Sequence, residues 1–266
     1  MKKASGPGGD ITRFSIHTGA DMAMNSPNSR SRPDLLGVLG GMGPLATADF
    51  LTKLISFTPA KLDREHIPVV VSSEPQIPNR ILSVANNDTD SPLPALLDRR
   101  DFLLQAGAKA IAMPCNAAHN WYGDLTAELD VPFLHIVDTV IETLEAADQP
   151  IATVGLLAAR TTIDCRLYED PILERGFKCL VADADLTMSH VVPGIALVKE
   201  NRVVEAKTIF REAVEQLLDA GAEKVVLGCT ELPVGLDMSD PWVAERCIDP
   251  TAALAQSCVN WAMKAR

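Results

Sequence analysis

Residues 103–115 read LLQAGAKAIAMPC, and residues 217–229 read LLDAGAEKVVLGC. Leu103/Leu217, Leu104/Leu218, Ala106/Ala220, Gly107/Gly221, Ala108/Ala222 and Cys115/Cys229 all fall at one offset, the distance from 115 to 229. Each copy reads as a helix end, a glycine stop, a short apolar strand and a cysteine where the next helix should begin. A repeat of so long a period predicts two similar α/β halves. Two cysteines in equivalent places would then face each other across the cleft between the halves. That geometry suits taking a proton from one face of a carbon and returning one to the other.

Working outward, strands alternate with helices around both copies. A short buried strand at 35–39 leads into Gly40-Gly41-Met42-Gly43-Pro44, and a helix follows over 45–57, with Pro44 suited to its first turn. A strand at 67–72, a proline-containing loop at 74–80 and a polar linker at 86–94 precede the first copy. The helix after Cys115 is expected to reach about residue 129, followed by a strand at 133–137 and a helix beginning at Asp138. The second half opens with a strand at 151–157, where Val154-Gly155-Leu156-Leu157 echoes Leu36-Gly37-Val38-Leu39. A strand at 177–181 and helices at 193–199 and 203–220 lead to the second copy. Ile248-Asp249-Pro250-Thr251 echoes Ile136-Val137-Asp138-Thr139, and a last helix runs to 264. Such alternation predicts parallel sheets covered by helices on both faces, with the site at the carboxyl ends of the strands. Both repeat cysteines fall there.

With 266 residues, the chain can bury a substantial core in one or two domains. A net charge of −11 argues against a nucleic-acid or anionic-membrane surface, and no apolar run approaches the roughly 20 residues that span a bilayer. The six cysteines, at 115, 165, 179, 229, 247 and 258, include no C-x-x-C pair, so neither a zinc ribbon nor a thioredoxin-type motif is present. Without a signal peptide the expected compartment is the reducing cytoplasm, and a disulfide framework is not expected. The four cysteines outside the repeat are expected to be buried small hydrophobes. Residues 1–33 are rich in Ser, Gly, Asn and Pro, basic on balance and without periodicity, and read as a disordered extension. A start at Met22 or Met24 would remove most of it.

Each repeat cysteine is followed by a residue able to start a helix, Asn116 or Thr230. A thiol at a helix N-terminus has its thiolate favoured by the macrodipole, and an ordinary thiol near pKa ~8.5 needs only a modest downward shift to act as a base. The plainer reading is two buried cysteines in duplicated strands. Gly41-Met42-Gly43-Pro44-Leu45-Ala46 fits G-x-G-x-x-A after a strand, but the acid that should end the next strand for a ribose is misplaced. The same loop could bind a small carboxylate through its backbone N–H groups. His119, one helical turn past Cys115, reads as a satisfied structural histidine rather than a base. Arg80 and Lys199 could hold carboxylates, and Asp138 and Asp249 read as helix N-caps.

Together these residues resemble the aspartate/glutamate racemase family of cofactor-independent amino-acid racemases. The resemblance rests on Gly40-Gly41-Met42-Gly43-Pro44, Pro78-Asn79-Arg80, Pro114-Cys115-Asn116-Ala117-Ala118-His119 and Gly228-Cys229-Thr230-Glu231-Leu232-Pro233, in that order. It covers the chain from about residue 34 onward. It implies two pseudo-symmetric lobes, each a short parallel sheet flanked by helices, with the active site in the inter-lobe cleft. Lobe 1 would span 34–137, completed by a C-terminal helix over 250–266, and lobe 2 would span 138–249. It implies Cys115 and Cys229 as acid/base thiols, Asn116 and Thr230 at the α-carboxylate, and Arg80 at a side-chain carboxylate. Gly41, Met42, Thr161, Thr162 and Lys199 would also meet the substrate. No cofactor, metal or macromolecular partner beyond a homodimer mate is implied. One departure is Ala117, where the family often has threonine; it removes a hydroxyl near the substrate. The expected activity is interconversion of L- and D-aspartate or glutamate. The alternatives are a racemase or isomerase of a hydantoin or maleate-like acid, or a small-ligand-binding protein on the same fold.

Overall fold

The computed structural model describes residues 34–80 and 91–264. The extension expected over 1–33 and half of the linker expected at 86–94 lie outside them. In chain order the elements are β1 (Leu36–Gly40), α1 (Pro44–Phe57), β2 (Val69–Ser73), α2 (Leu93–Gln105), β3 (Ala110–Ala112), α3 (Tyr122–Thr126), β4 (Phe133–Leu134) and α4 (Ile136–Glu145). The second half continues with β5 (Thr153–Ala158), α5 (Arg160–Asp164), α6 (Glu169–Glu174), β6 (Lys178–Val181), α7 (Val192–Lys199) and α8 (Val203–Asp219). It ends with β7 (Lys224–Gly228), α9 (Glu231–Leu236), α10 (Pro241–Arg246), β8 (Cys247–Ile248) and α11 (Pro250–Lys264). The strands form two four-stranded parallel sheets of identical order, β2-β1-β3-β4 and β6-β5-β7-β8. The α/β architecture read from the repeat is the one the chain adopts.

The repeat is reproduced at the level of single hydrogen bonds. At the end of α2 the N–H of Ala108 donates to Leu103 O at 3.1 Å and that of Gly107 to Leu104 O at 2.9 Å; at the end of α8 the N–H of Ala222 donates to Leu217 O at 3.0 Å and that of Gly221 to Leu218 O at 2.9 Å. Gly107 and Gly221 have φ of 94° and 103°, the left-handed stop that glycine adopts without a Cβ penalty. The Leu and Ala of each copy then meet the first strand of their own sheet. A Cβ on Gly37 would lie 3.0 Å from Ala108 Cβ, and one on Gly155 would lie 3.0 Å from Ala222 Cβ. The echo between 36–39 and 154–157 thus has a packing cause, since helix and strand approach too closely there for a side chain.

Alternation along the strands divides the core into layers. Leu36, Val38, Ala110 and Ala112 of the first sheet share one inner cluster with Val154, Leu156 and Val226 of the second, closed by Phe50 of α1, Val140 of α4 and Leu254 of α11. The intervening Ile111 packs outward with Leu96 and Leu103 of α2, while Val225 and Leu227 pack outward with Phe210 and Val214 of α8. Helix α11 packs against α1 and α4. Lys53 of α1 pairs with both Asp49 and the buried Asp249, the latter at 2.5 Å, which pins α1 to the start of α11.

Several local expectations are corrected. Strand β4 is only Phe133–Leu134, because α4 already begins at Ile136; its N-cap is His135, whose ring accepts from the N–H of Asp138 at 3.4 Å. Asp138 is therefore inside the first turn, and the lobe boundary expected at 137/138 falls within a helix. The equivalent cap in the second half is Asp249, whose Oδ1 accepts from the N–H of Thr251 at 2.8 Å. His135 and Asp249 are separated by the same offset as the cysteines, so the echo of 136–139 with 248–251 is out of register. The helix expected from Cys115 to 129 is a 3-10 segment at Ala117–Trp121 followed by α3, which ends at Thr126. Of the four remaining cysteines, Cys247 and Cys258 are buried, but Cys179 is half-buried and Cys165, at the end of α5, is exposed. Among the described residues no helix is long and apolar enough to cross a membrane.

Candidate active site

The carboxyl ends of β1, β3, β5 and β7 open onto one cleft of about 880 Å³, bordered by residues of both halves. Cys115 and Cys229 both line it. The turn that carries each is the same, with the N–H of Cys115 donating to Met113 O at 2.8 Å and that of Cys229 to Leu227 O at 2.8 Å. Duplicated strands thus deliver two thiols to one cavity through duplicated backbone.

Their surroundings differ. The carbonyl of Cys115 accepts from His119 Nδ1 at 2.8 Å, and His119 Nε2 accepts from the N–H of Ile136 at 3.2 Å. Both ring nitrogens are satisfied, and burial drives the imidazole pKa down to about 3. His119 is therefore a neutral brace between the Cys115 turn and α4, as its position in the sequence suggested. On the other side Cys229 Sγ donates to Glu231 Oε2 at 3.0 Å, and Thr230 Oγ1 donates to the same oxygen at 3.3 Å. Glu231 is itself buried, and its other carboxylate oxygen lies 3.7 Å from where a Cβ on Gly43 would sit.

The expected lowering of the thiol pKa values is not what the cleft produces. Burial raises Cys115, with the Arg80 guanidinium pulling back and Glu231 adding to the rise. Burial raises Cys229 well above its ordinary value, reinforced by the Glu231 carboxylate and opposed more weakly by the Glu231 backbone N–H and then by Lys199. Desolvation of a thiolate outweighs the partial charge of a 3-10 turn or of the six-residue α9. The two thiols are inequivalent, Cys115 having the cationic neighbour and Cys229 the anionic one.

The other expected residues are placed as follows. Gly41 and Met42 border the cleft. A Cβ on Gly41 (φ 92°) would lie 2.2 Å from Glu74 N, so only glycine fits. Its N–H already donates to Thr47 Oγ1 at 2.9 Å, which removes it as a donor to a ligand. Arg80 borders the cleft with Nη1 anchored on Ile77 O (3.0 Å) and Pro78 O (3.1 Å), and its charge favours the Cys115 thiolate. Lys199, at the end of α7, and Thr230 line the cleft from the second half. Thr162 lines the cleft with a buried hydroxyl that has no partner among the described residues, whereas Thr161 does not border it. Successive residues of a helix point about 100° apart, so one threonine of the pair faces away. Asn116 lines the cleft; its Oδ1 accepts from Tyr168 OH at 2.5 Å, and its buried Nδ2 has no hydrogen-bond partner among the described residues.

Two participants were not singled out from the sequence. Glu231 was quoted in a motif but given no role; the signal was an acid within the apolar stretch Leu227 to Pro233. Tyr168 carried no signal, because its partner is 52 residues away in sequence.

The model of the Asp/Glu/Hydantoin racemase family matches residues 39–258. The broad specificity amino-acid racemase RacX of Bacillus subtilis is 28% identical over 233 residues, covering 85% of this chain and 97% of that protein. Among solved structures, the aspartate racemase of Picrophilus torridus superposes with a TM-score of 0.74 at 29% identity, over 86% of this chain and 94% of that one. The glutamate racemase of Francisella tularensis, solved with D-glutamate, superposes with a TM-score of 0.63 at 16% identity, over 88% of this chain and 82% of that one, a likeness of fold.

Proposed function

The chain belongs to the Asp/Glu/Hydantoin racemase family, and from that premise we propose that it is an amino-acid racemase acting on aspartate or glutamate by proton transfer between Cys115 and Cys229. The observation that carries this reading is the delivery of both thiols to one cleft by duplicated strands. Arg80 from the first half and Lys199 from the second, both bordering the cleft, suit a substrate with two carboxylates. Asn116 Nδ2 and the backbone N–H of Thr230, whose hydroxyl is engaged with Glu231, would hold the α-carboxylate, with the hydroxyl of Thr162 nearby.

Cys115, whose thiolate the Arg80 guanidinium favours, serves as the base, and Cys229, hydrogen-bonded to Glu231, as the acid. For one enantiomer the Cys115 thiolate takes the α-proton, and the Cα–H electron pair passes into the α-carboxylate as an enolate. The Cys229 S–H then gives its proton to the opposite face of the carbon and keeps its own electron pair, becoming the thiolate. The enzyme is left in the mirror protonation state and is reset through solvent or by the reverse reaction. Donors aimed at the α-carboxylate supply the enolate stabilisation, as in an oxyanion hole, and the two thiols titrate as a coupled pair.

The test is turnover of L- and D-aspartate in deuterated water, following α-deuterium and optical rotation. Cys115→Ala and Cys229→Ala should each abolish racemisation, and wild-type rates in either would sink the two-thiol scheme. A panel including glutamate, neutral amino acids and a hydantoin sets the substrate range. We take the active form to be a cytoplasmic homodimer, and the exposed apolar side chains Ile55, Phe57 and Leu62 offer a surface for the pairing. Light scattering of the purified chain reads its mass directly.

A further inference from the structure

Tyr168 touches the structure around both thiols, and we propose that it is a positioning residue. Its hydroxyl sets the Asn116 amide so that Nδ2 is presented to the substrate carboxylate, while its ring backs the strand end that carries Cys229. The inference rests on reading the cleft as a racemase site with Asn116 at the α-carboxylate.

Tyr168 belongs to the second half, just before α6, and is fully buried. Its hydroxyl crosses to the first half and donates to Asn116 Oδ1 at 2.5 Å. A primary amide has an acceptor end and a donor end. Asn116 borders the cleft, and with its acceptor end taken by Tyr168 the end left for a ligand is Nδ2, which is buried and has no partner among the described residues. A carboxylate requires donors, so the sense in which this amide points decides whether the site attracts or repels it. Without the hydroxyl, Oδ1 would be buried with no donor. A half-turn of the amide would then relieve the oxygen by turning it toward the cleft, against an anionic ligand.

The ring contributes separately. A Cβ on Gly228 would lie 3.5 Å from Tyr168 Cδ2, so the ring is within van der Waals reach of the residue immediately before Cys229. One side chain therefore sets a donor beside Cys115 and supports the backbone beside Cys229, across the boundary between the two sheets. Burial, with Asp249 and Cys229 nearby, raises the phenol pKa well above its ordinary value, so the hydroxyl remains a donor throughout the working pH range.

The experiment uses the full chain and the variants Tyr168→Phe, Asn116→Ala and the double substitution. Aspartate racemisation gives kcat and KM, and calorimetric titration with succinate, a dicarboxylate that cannot be racemised, reads binding without chemistry. Leaving a buried amide end unpaired predicts a loss of roughly ten- to a hundredfold in kcat/KM for Tyr168→Phe. That loss should lie mainly in KM, with a parallel weakening of succinate. In the Asn116→Ala background, Tyr168→Phe should add less than about twofold, because its effect passes through the amide. Wild-type KM and succinate affinity in Tyr168→Phe, or equal losses in both backgrounds, would overturn the proposal.

Should Tyr168→Phe fail to fold, Asn116→Asp answers the same question. It keeps an oxygen for Tyr168 and replaces the cleft-facing donor with an acceptor, so succinate binding should be lost; retained binding overturns the proposal. A wild-type chain that exchanges no α-proton with any amino acid overturns the racemase reading and this proposal with it. Wild-type exchange with an unaffected Tyr168→Phe overturns the proposal alone.

Discussion

Replacing Gly228 with alanine should slow the reaction without touching either thiol. Gly228 is the last residue of β7, directly before Cys229. A Cβ there would lie 2.9 Å from Ala158 Cβ, 3.1 Å from Leu156 Cδ1 and 3.5 Å from Tyr168 Cδ2. Carbon atoms pack at about 3.5–4.0 Å, so roughly half an ångström must be found. Leu156 can give way by rotation. Ala158 cannot, since its Cβ is fixed by the β5 backbone that pairs with Gly228. The end of β7 must therefore move, carrying Cys229 with it. Overpacking of this kind costs about 1–3 kcal/mol. A displacement of ~1 Å in a reacting group costs on the order of a hundredfold in rate, so half of that predicts about tenfold. The stability loss is read by urea denaturation and the rate by α-deuterium uptake from deuterated water. Gly221→Ala is the control: with φ at 103° and nothing within 4 Å of the new Cβ, it should cost about 1–2 kcal/mol of backbone strain and leave kcat within about twofold. A wild-type kcat in Gly228→Ala, or the same rate loss in Gly221→Ala, would refute the steric argument.

Two further outcomes follow from the electrostatics. Glu231 raises both thiols, and Cys229 the more directly, so Glu231→Gln should move iodoacetamide alkylation to lower pH, further at Cys229 than at Cys115; peptide mapping separates the two, and an unmoved Cys229 would contradict the hydrogen bond at 3.0 Å. His119 takes a proton near 6.5 when unfolded but only at about 3 when folded. Between those values the unfolded state binds more protons, so stability should fall with decreasing pH by up to ~1.4 kcal/mol per unit. His119→Gln should remove that part of the slope, measured as denaturation midpoints from pH 7 to pH 4.

The repeat was legible because its causes are local. A glycine after an apolar helix end can be read from its neighbours, and so can a short strand run and a cysteine after it. The same logic found Gly37 and Gly155, whose missing side chains admit the Leu and Ala of each copy. It failed where a local cap was of an unusual kind or the controlling partner was remote. The end of β4 was misjudged because the cap of α4 comes from the ring of His135. The thiol shifts were misjudged because burial depends on both halves at once, and a short helical turn cannot offset it.

By itself, then, the amino-acid order determined two parallel α/β halves and a thiol at the same place in each, since strand period, glycine stops and the repeat offset are written within a few residues of one another. That the thiols would be unlike is already legible in their flanks, Asn-Ala-Ala-His after Cys115 and Thr-Glu-Leu-Pro after Cys229; only the tertiary structure decided which charges each one meets. Arg80, 35 positions from Cys115, and the buried Glu231 give them opposite electrostatic partners, while Tyr168 reaches Asn116 across 52 residues. Those contacts exist because the two sheets share an inner core that brings their strand ends together, and short-range sequence pattern carries no record of which distant side chains such packing will place in contact.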